Sequence, residues 1–253
     1  MNTGIIDGAL AAVIVAGGGG ERFGQGDKLL APLRGVPVIV HSLRKFAQFC
    51  PDGQIAVALR PETAATVREL VGRHLPGHAF LYVEGGRTRA ESALNALEAL
   101  PDTALLVAVH DAARPLVSPA MIGRCFAVCR ERGAAVLARR ATDTIKTVRG
   151  PELQVGATID RAAAWQVETP QVFPRLPLLA AYRAALAAGA ALTDDAGAME
   201  RAGHPVFLVE DPLPNLKLTF PHDLALAEAL LALAQELSPA TSPAGPRPRG
   251  RAR

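Results

Sequence analysis

Four glycines stand in a row, Gly17-Gly18-Gly19-Gly20, and two cations follow closely, Arg22 and Lys28. Each glycine costs backbone entropy, so the run is not there for stability. Its bare main-chain N–H groups can close around an anion. The run follows the apolar stretch Leu10–Val15, which reads as a buried strand. The order predicts a polyphosphate or nucleotide site at the carboxyl end of the first strand. Arg114 and Lys217 fall at further strand-to-loop junctions. Cations arriving from such separate segments point to a site crowded with phosphates.

Familiar motifs do not account for the loop. A dinucleotide fingerprint starting at Gly17 finds Gly19 but meets Arg22 where its last glycine belongs, and one starting at Gly18 meets Phe23. A Walker A loop from Gly19 reaches Gly24 and then needs lysine, where Gln25 stands. A dehydrogenase and a P-loop NTPase are both disfavoured. His110 follows Val109, so alternation turns it into the sheet as a buried, hydrogen-bonded histidine rather than a general base. No Ser/His/Asp or Cys/His pairing is evident.

The elements that must position these residues alternate. Strands are expected at Gln54–Leu59, Ala79–Val83, Ala104–Val109, Ala134–Ala138 and Pro205–Val209. Helices are expected at Glu62–Arg73, Thr88–Leu100, Pro119–Arg132, Leu176–Ala188, Asp194–Ala202 and Pro221–Leu237. This βαβ rhythm predicts an α/β, Rossmann-like, mostly parallel twisted sheet with helices on both faces. From Arg139 to Pro170 the rhythm breaks, and Thr144–Val148 with Val155–Ile159 reads as a β-hairpin around Gly150-Pro151. Polar residues gather at strand ends, including Gly85-Gly86-Arg87-Thr88-Arg89, His110-Asp111-Ala112-Ala113-Arg114 and Thr193-Asp194-Asp195.

The 253 residues, 49% apolar and 20% charged, suit a globular chain with a proper core, expected here as a single domain over 1–237. The net charge of +3 is a tail property. Arg247, Arg249, Arg251 and Arg253 supply four positive charges, and removing them from +3 leaves −1 for the rest. A basic nucleic-acid surface is therefore not expected, and residues 238–253 read as a disordered Pro/Arg-rich tail. No apolar stretch reaches membrane-spanning length, and the N-terminus lacks a secretory pattern, so the cytoplasm is expected. Three cysteines fit a reducing compartment, with Cys125 and Cys129 on the apolar face of one helix as core residues.

Read together, these stretches resemble the 2-C-methyl-D-erythritol 4-phosphate cytidylyltransferase family of non-mevalonate isoprenoid biosynthesis. The resemblance runs over about residues 10 to 235. Ala16–Lys28, Gly85–Ser92, Val109–Pro115 and Asp143–Lys146 carry it, with Thr158–Arg161, Glu168–Phe173, Leu192–Asp195 and Asn215–Thr219. The family commonly has proline before the loop lysine. Here Asp27 stands there, an acid expected to offset part of the charge of Lys28.

The resemblance implies that CTP and 2-C-methyl-D-erythritol 4-phosphate give CDP-methylerythritol and pyrophosphate. Arg22, Lys28, Arg161 and Lys217 would be catalytic. Ala16, Gly17, Gly18, Gly85, Gly86, Arg89, Ser92, Asp111 and Ala112 would line the nucleotide. Asp111, Arg114, Arg161, Thr169, Thr193 and Lys217 would bind the polyol phosphate. Mg²⁺ would ride on the CTP phosphates near Asp111, without a closed protein cage. Arg161 and Thr169, placed with the hairpin region, would reach a neighbouring subunit's site, implying a homodimer built by an arm of about 139–163. Ribitol 5-phosphate cytidylyltransferase chemistry and a catalytically silent nucleotide binder stand as alternatives.

Overall fold

The computed structural model of the protein describes residues 10–18, 23–24 and 26–237, with side chains described to 234. Its first strand, β1 (Leu10–Ala16), is an inner strand of the sheet and is buried along its whole length. A small ribbon of β2 (Pro32–Leu33) and β3 (Val36–Pro37) stands apart from the main sheet. β1 runs parallel to β4 (Ile55–Leu59) on one side and to β6 (Leu106–Asp111) on the other. β5 (Leu81–Glu84) adds beyond β4. On the far side β10 (Trp165–Pro174) lies antiparallel between β6 and β7 (Ala135–Arg140), and β11 (Phe207–Glu210) closes that edge. The order is β11-β7-β10-β6-β1-β4-β5. Six strands thus end at the same rim, and β10 begins there.

Both faces are covered, which is why the inner strands read as unbroken apolar runs. Ala12 and Ile14 face one core, shared with α1 (Val38–Phe46), α2 (Pro61–His74) and α4 (Pro119–Arg132). Ala11, Val13 and Val15 face the other, under α3 (Arg89–Ala99), α5 (Arg175–Ala187) and α6 (Asp195–Arg201). α7 (His222–Leu237) runs last. Fully buried side chains such as Ile39, Leu43 and Phe46 contribute about 1.5–3 kcal/mol each. The cysteines lie in the core as expected, and burial pushes the thiols of Cys50, Cys125 and Cys129 up to about 12. None of the described helices is long and apolar enough to cross a membrane.

Beside the small β2–β3 ribbon, one helix and one strand of the main sheet have no counterpart among the expected elements. α1 starts from Pro37 without a side-chain cap, so its Val38-Ile39-Val40 opening carries no helix-start signal. β10 contains Pro170 and Pro174, which argue against a central strand. The chain accommodates Pro170 with a register shift between Val167 and Gln171, and Pro174 ends the strand. The hairpin forms as β8 (Lys146–Arg149) and β9 (Gln154–Thr158), a separate two-stranded sheet with exposed Val148, Leu153, Val155 and Ile159.

Candidate active site

The sheet register brings the predicted strand ends together. Val15 pairs with Asp111, Ala16 with Leu59, and Leu59 with Glu84. Gly17, Gly85 and Ala112 therefore leave the sheet side by side at one rim. A cavity of about 370 Å³ opens above them, lined by Gly17, Gly18, Lys28, Gly86, Arg89, Ser92, Asp111 and Lys217, with Ala16 among its walls.

One wall is a tight glycine turn. Thr88 caps α3 by accepting a bond from the Glu91 N–H at 3.1 Å, and Ser92 in the next turn accepts from the Gly86 N–H at 3.0 Å. A Cβ on Gly86 would lie 2.2 Å from Glu91 Cβ, so only glycine fits. A Cβ on Gly17 would come within 3.2 Å of Ser92 Oγ, so the two loops close on each other. Gly85 donates its N–H to Leu59 O at 2.8 Å and shapes the turn without lining the cavity.

Asp111 is the electrostatic hub. Lys217 Nζ donates to its Oδ2 at 2.6 Å, Arg89 Nε to its Oδ1 at 2.9 Å, and Arg114 Nε stands 4.0 Å away. Burial alone would raise this carboxyl, but Arg89, Lys217 and Arg114 overturn that and hold it well below the usual carboxylate range. Arg89 itself is held from behind. Its Nη1 and Nη2 fork onto Asp195 at 2.7 and 2.9 Å, and the Tyr182 hydroxyl also donates to Asp195. Arg89, expected to line the nucleotide, does border the cavity, but its three nitrogens serve Asp111 and Asp195. Its effect on a ligand passes through Asp111.

Lys28 opens a turn whose geometry Asp27 sets. Asp27 Oδ1 accepts from the Leu29 N–H at 2.9 Å, and its carbonyl accepts from Leu30 and Ala31. Its second oxygen takes Arg60 Nη2 at 2.6 Å. The acid beside the lysine, expected to offset part of its charge, thus pairs with Arg60. Lys28 Nζ reaches across to Leu218 O at 3.0 Å, next to Lys217. Arg22, with Gly19 and Gly20, lies outside the described residues, as does the tail over 238–253.

A second cavity of about 440 Å³ adjoins the first. Arg114, Arg139, Glu168, Asn215 and Lys217 line it, so Lys217 borders both. Arg114 Nη1 donates to Asn215 O at 2.8 Å, and Asn215 Nδ2 donates to Thr169 O at 2.9 Å. Neither Glu168 nor Asn215 is among the expected site residues. Both lie beside legible motifs, Thr169-Pro170 and Lys217, but the register shift around Glu168 and the bonds of Asn215 to Arg114 and Thr169 have no sequence signal.

Several expectations are corrected by placement. Thr169 is not in the hairpin region. It sits on β10, 4% exposed, accepting from its own chain's Asp111 N–H at 3.1 Å. Ala112 is fully buried, its N–H on Val15 O and its carbonyl on Ser42 Oγ, and Ala113 takes its place at the cavity. Thr193 is exposed and borders neither cavity. Arg161, expected at a neighbouring subunit's site and not its own, is exposed at the base of the hairpin, its Nη1 on Thr142 O at 3.0 Å, away from both cavities of its own chain.

His110 is buried and doubly engaged, as its position after Val109 predicts. Its Nε2 faces Arg114 O at 3.2 Å and its Nδ1 faces Thr169 Oγ1 at 3.1 Å. A carbonyl only accepts, so the proton is assigned to Nε2 and the ring is neutral. Burial pushes its pKa down to about 3. Between about 3 and 6.5 the unfolded chain then binds a proton that the folded chain refuses. Stability should fall as pH drops through that window, by up to about 1.4 kcal/mol per pH unit. The urea midpoint should be lower at pH 5 than at pH 7, and His110→Gln should flatten that dependence. Equal slopes in both proteins would contradict the assignment.

Among the described residues no group of three or more His, Cys, Asp or Glu could hold a metal ion. Asp111 is the one carboxylate among the described residues lining the first cavity, and it is already cation-paired. That donor set fits a metal carried by a ligand's phosphates and does not fit a protein cage.

Known proteins resemble this chain in sequence and fold. A family model described as 2-C-methyl-D-erythritol 4-phosphate cytidylyltransferase matches residues 10–233. A protein of that description from Symbiobacterium thermophilum is 43% identical over 223 residues, covering 88% of this chain and 92% of its own. The solved structure of the Thermus thermophilus 2-C-methyl-D-erythritol 4-phosphate cytidylyltransferase superposes with a TM-score of 0.73 at 31% identity, covering 88% of this chain and 99% of that one. The 4-diphosphocytidyl-2C-methyl-D-erythritol synthase of Anaerococcus prevotii gives 0.76 at 25% identity, covering 89% and 99%. The glycine-lined cavity and its cations therefore belong to a member of the 2-C-methyl-D-erythritol 4-phosphate cytidylyltransferase family.

Proposed function

We infer that the first cavity takes CTP, the second takes 2-C-methyl-D-erythritol 4-phosphate, and Lys217 serves the reaction between them. The observation that carries this reading is that Lys217, fastened to Asp111, borders both cavities. A phosphate oxygen of the polyol phosphate forms a bond to the α-phosphorus of CTP. The bond from that phosphorus to the bridging oxygen breaks, and pyrophosphate leaves. The attacking oxygen is already ionised at neutral pH, so no base has to take its proton. His110 in its neutral, occupied state fits that absence.

The obstacle is the repulsion of two anions, and the remedy is fixed positive charge. Lys28 faces the leaving pyrophosphate. Lys217 faces the α-phosphate, and Arg114 holds the polyol phosphate. Arg22 belongs to the same clamp by its place in the glycine loop. The turn at Gly86 and Ser92 reads the cytosine edge, with Gly17 and Gly18 beneath it. Asp111 keeps Lys217 aimed and would offer a carboxylate oxygen to a phosphate-borne Mg²⁺. When bound, Mg²⁺ lowers the charge on the phosphate oxygens.

Arg161 and the hairpin serve a second copy of the chain. An isolated hairpin is barely stable in water, and this one exposes Val148, Leu153 and Val155. Exchange of the two arms in a homodimer would cover those side chains and bring each Arg161 to the other copy's polyol subsite. The decisive assay is pyrophosphate release with a panel of nucleoside triphosphates and polyol phosphates. CTP with 2-C-methyl-D-erythritol 4-phosphate should be the productive pair. Turnover with ribitol 5-phosphate instead, or CTP binding without release, would overturn the reading.

A further inference from the structure

We propose that Arg60 shields the nucleotide site from Asp27, a carboxylate that the Lys28 turn needs for its shape. Asp27 has two jobs with opposite electrostatic consequences. One oxygen caps the turn through the Leu29 N–H, while the main-chain carbonyl accepts from Leu30 and Ala31. The turn is also fixed from the other side. Leu29 is 4% exposed and its carbonyl accepts from the Ile39 N–H at 3.1 Å, so Lys28 cannot drift from the cavity. The same carboxylate, however, sits one residue from a lysine meant for phosphates. Left alone, its charge would repel the ligand that Lys28 attracts.

Arg60 resolves the conflict. It follows β4 directly and caps α2 in an extended conformation, which sends its side chain along the rim toward Asp27. Its Nη2 holds Asp27 Oδ2 at 2.6 Å, with the Asp27 side chain 10% exposed. Arg60 lines neither cavity. It is therefore a positioning and shielding residue that acts through Asp27.

The proposal rests on Lys28 binding phosphates, and a double substitution separates shielding from mere support. Arg60→Ala should raise KM for CTP by about tenfold, because it bares the carboxylate. Asp27→Asn keeps an acceptor for the Leu29 N–H and removes the charge, so it should stay within about threefold of the native enzyme. The pair Asp27→Asn with Arg60→Ala should recover most of the loss and bind CTP better than Arg60→Ala alone. Arg60→Lys should stay near native. Absence of CTP turnover in the native enzyme would sink the functional reading itself. Native turnover with Arg60→Ala unchanged would overturn the shielding alone, as would a double variant no better than Arg60→Ala.

Discussion

Lys217→Ala is expected to lower kcat by about 10²–10³-fold, the range seen when a charge-stabilising donor is removed from a reacting centre. The size follows from where the ammonium stands. It borders both cavities and is held at 2.6 Å from Asp111 Oδ2. It alone of the described cations can face both reacting phosphates. Stability should move little, because the Lys217 side chain is 41% exposed and such a pair contributes only about 0–1 kcal/mol. Asp111 also keeps Arg89 and Arg114, so the substitution leaves no bare buried charge. Steady-state kinetics with an unfolding curve on the same preparation check this. A fall in kcat below threefold would remove Lys217 from the chemistry, whatever happened to the melting point.

The second large effect is a gain. Arg161→Ala and Lys28→Ala should each be nearly inactive, yet a dimer containing one of each should work at one of its two sites. The intact Lys28 of one copy would meet the intact Arg161 of the other. Random reassociation of equal amounts makes half the dimers mixed, so activity should return to about a quarter of native. Arg161 is suited to this test because it lies apart from both cavities of its own chain. A mixture as inactive as its parents would contradict a site shared between copies.

Much of this architecture is legible in the residue order, for reasons that differ by element. Leu10–Val15 and Ile55–Leu59 are buried on both faces, so their unbroken apolar runs announce a parallel sheet. α4 spans Pro119–Arg132 as expected because Ser118 and Gly133 cap its two ends. α1 lacks such marks, and β10 hides behind its prolines. The same contrast runs through the site. Lys28, Asp111 and Lys217 sit where strands end, so topology alone brings them together. What topology does not give is the partner of each group. Arg89 turns to Asp195, which lies 106 residues away, because α3 and α6 flank the same rim. Asp27 turns to Arg60 because β4 ends beside the Lys28 turn. Thr169, placed by the residue order with the hairpin region, lies in the sheet because β10 is a strand. Such pairings depend on register and helix packing, which local spacing does not encode.

The clearest trial of the central claim is a crystal structure with CTP bound. The triphosphate should lie between Lys28 Nζ and Lys217 Nζ, with cytosine against Gly86 and Ser92. CTP bound in the cavity of Arg139, Glu168 and Asn215, or with its phosphates beyond reach of Lys28 and Lys217, would contradict it.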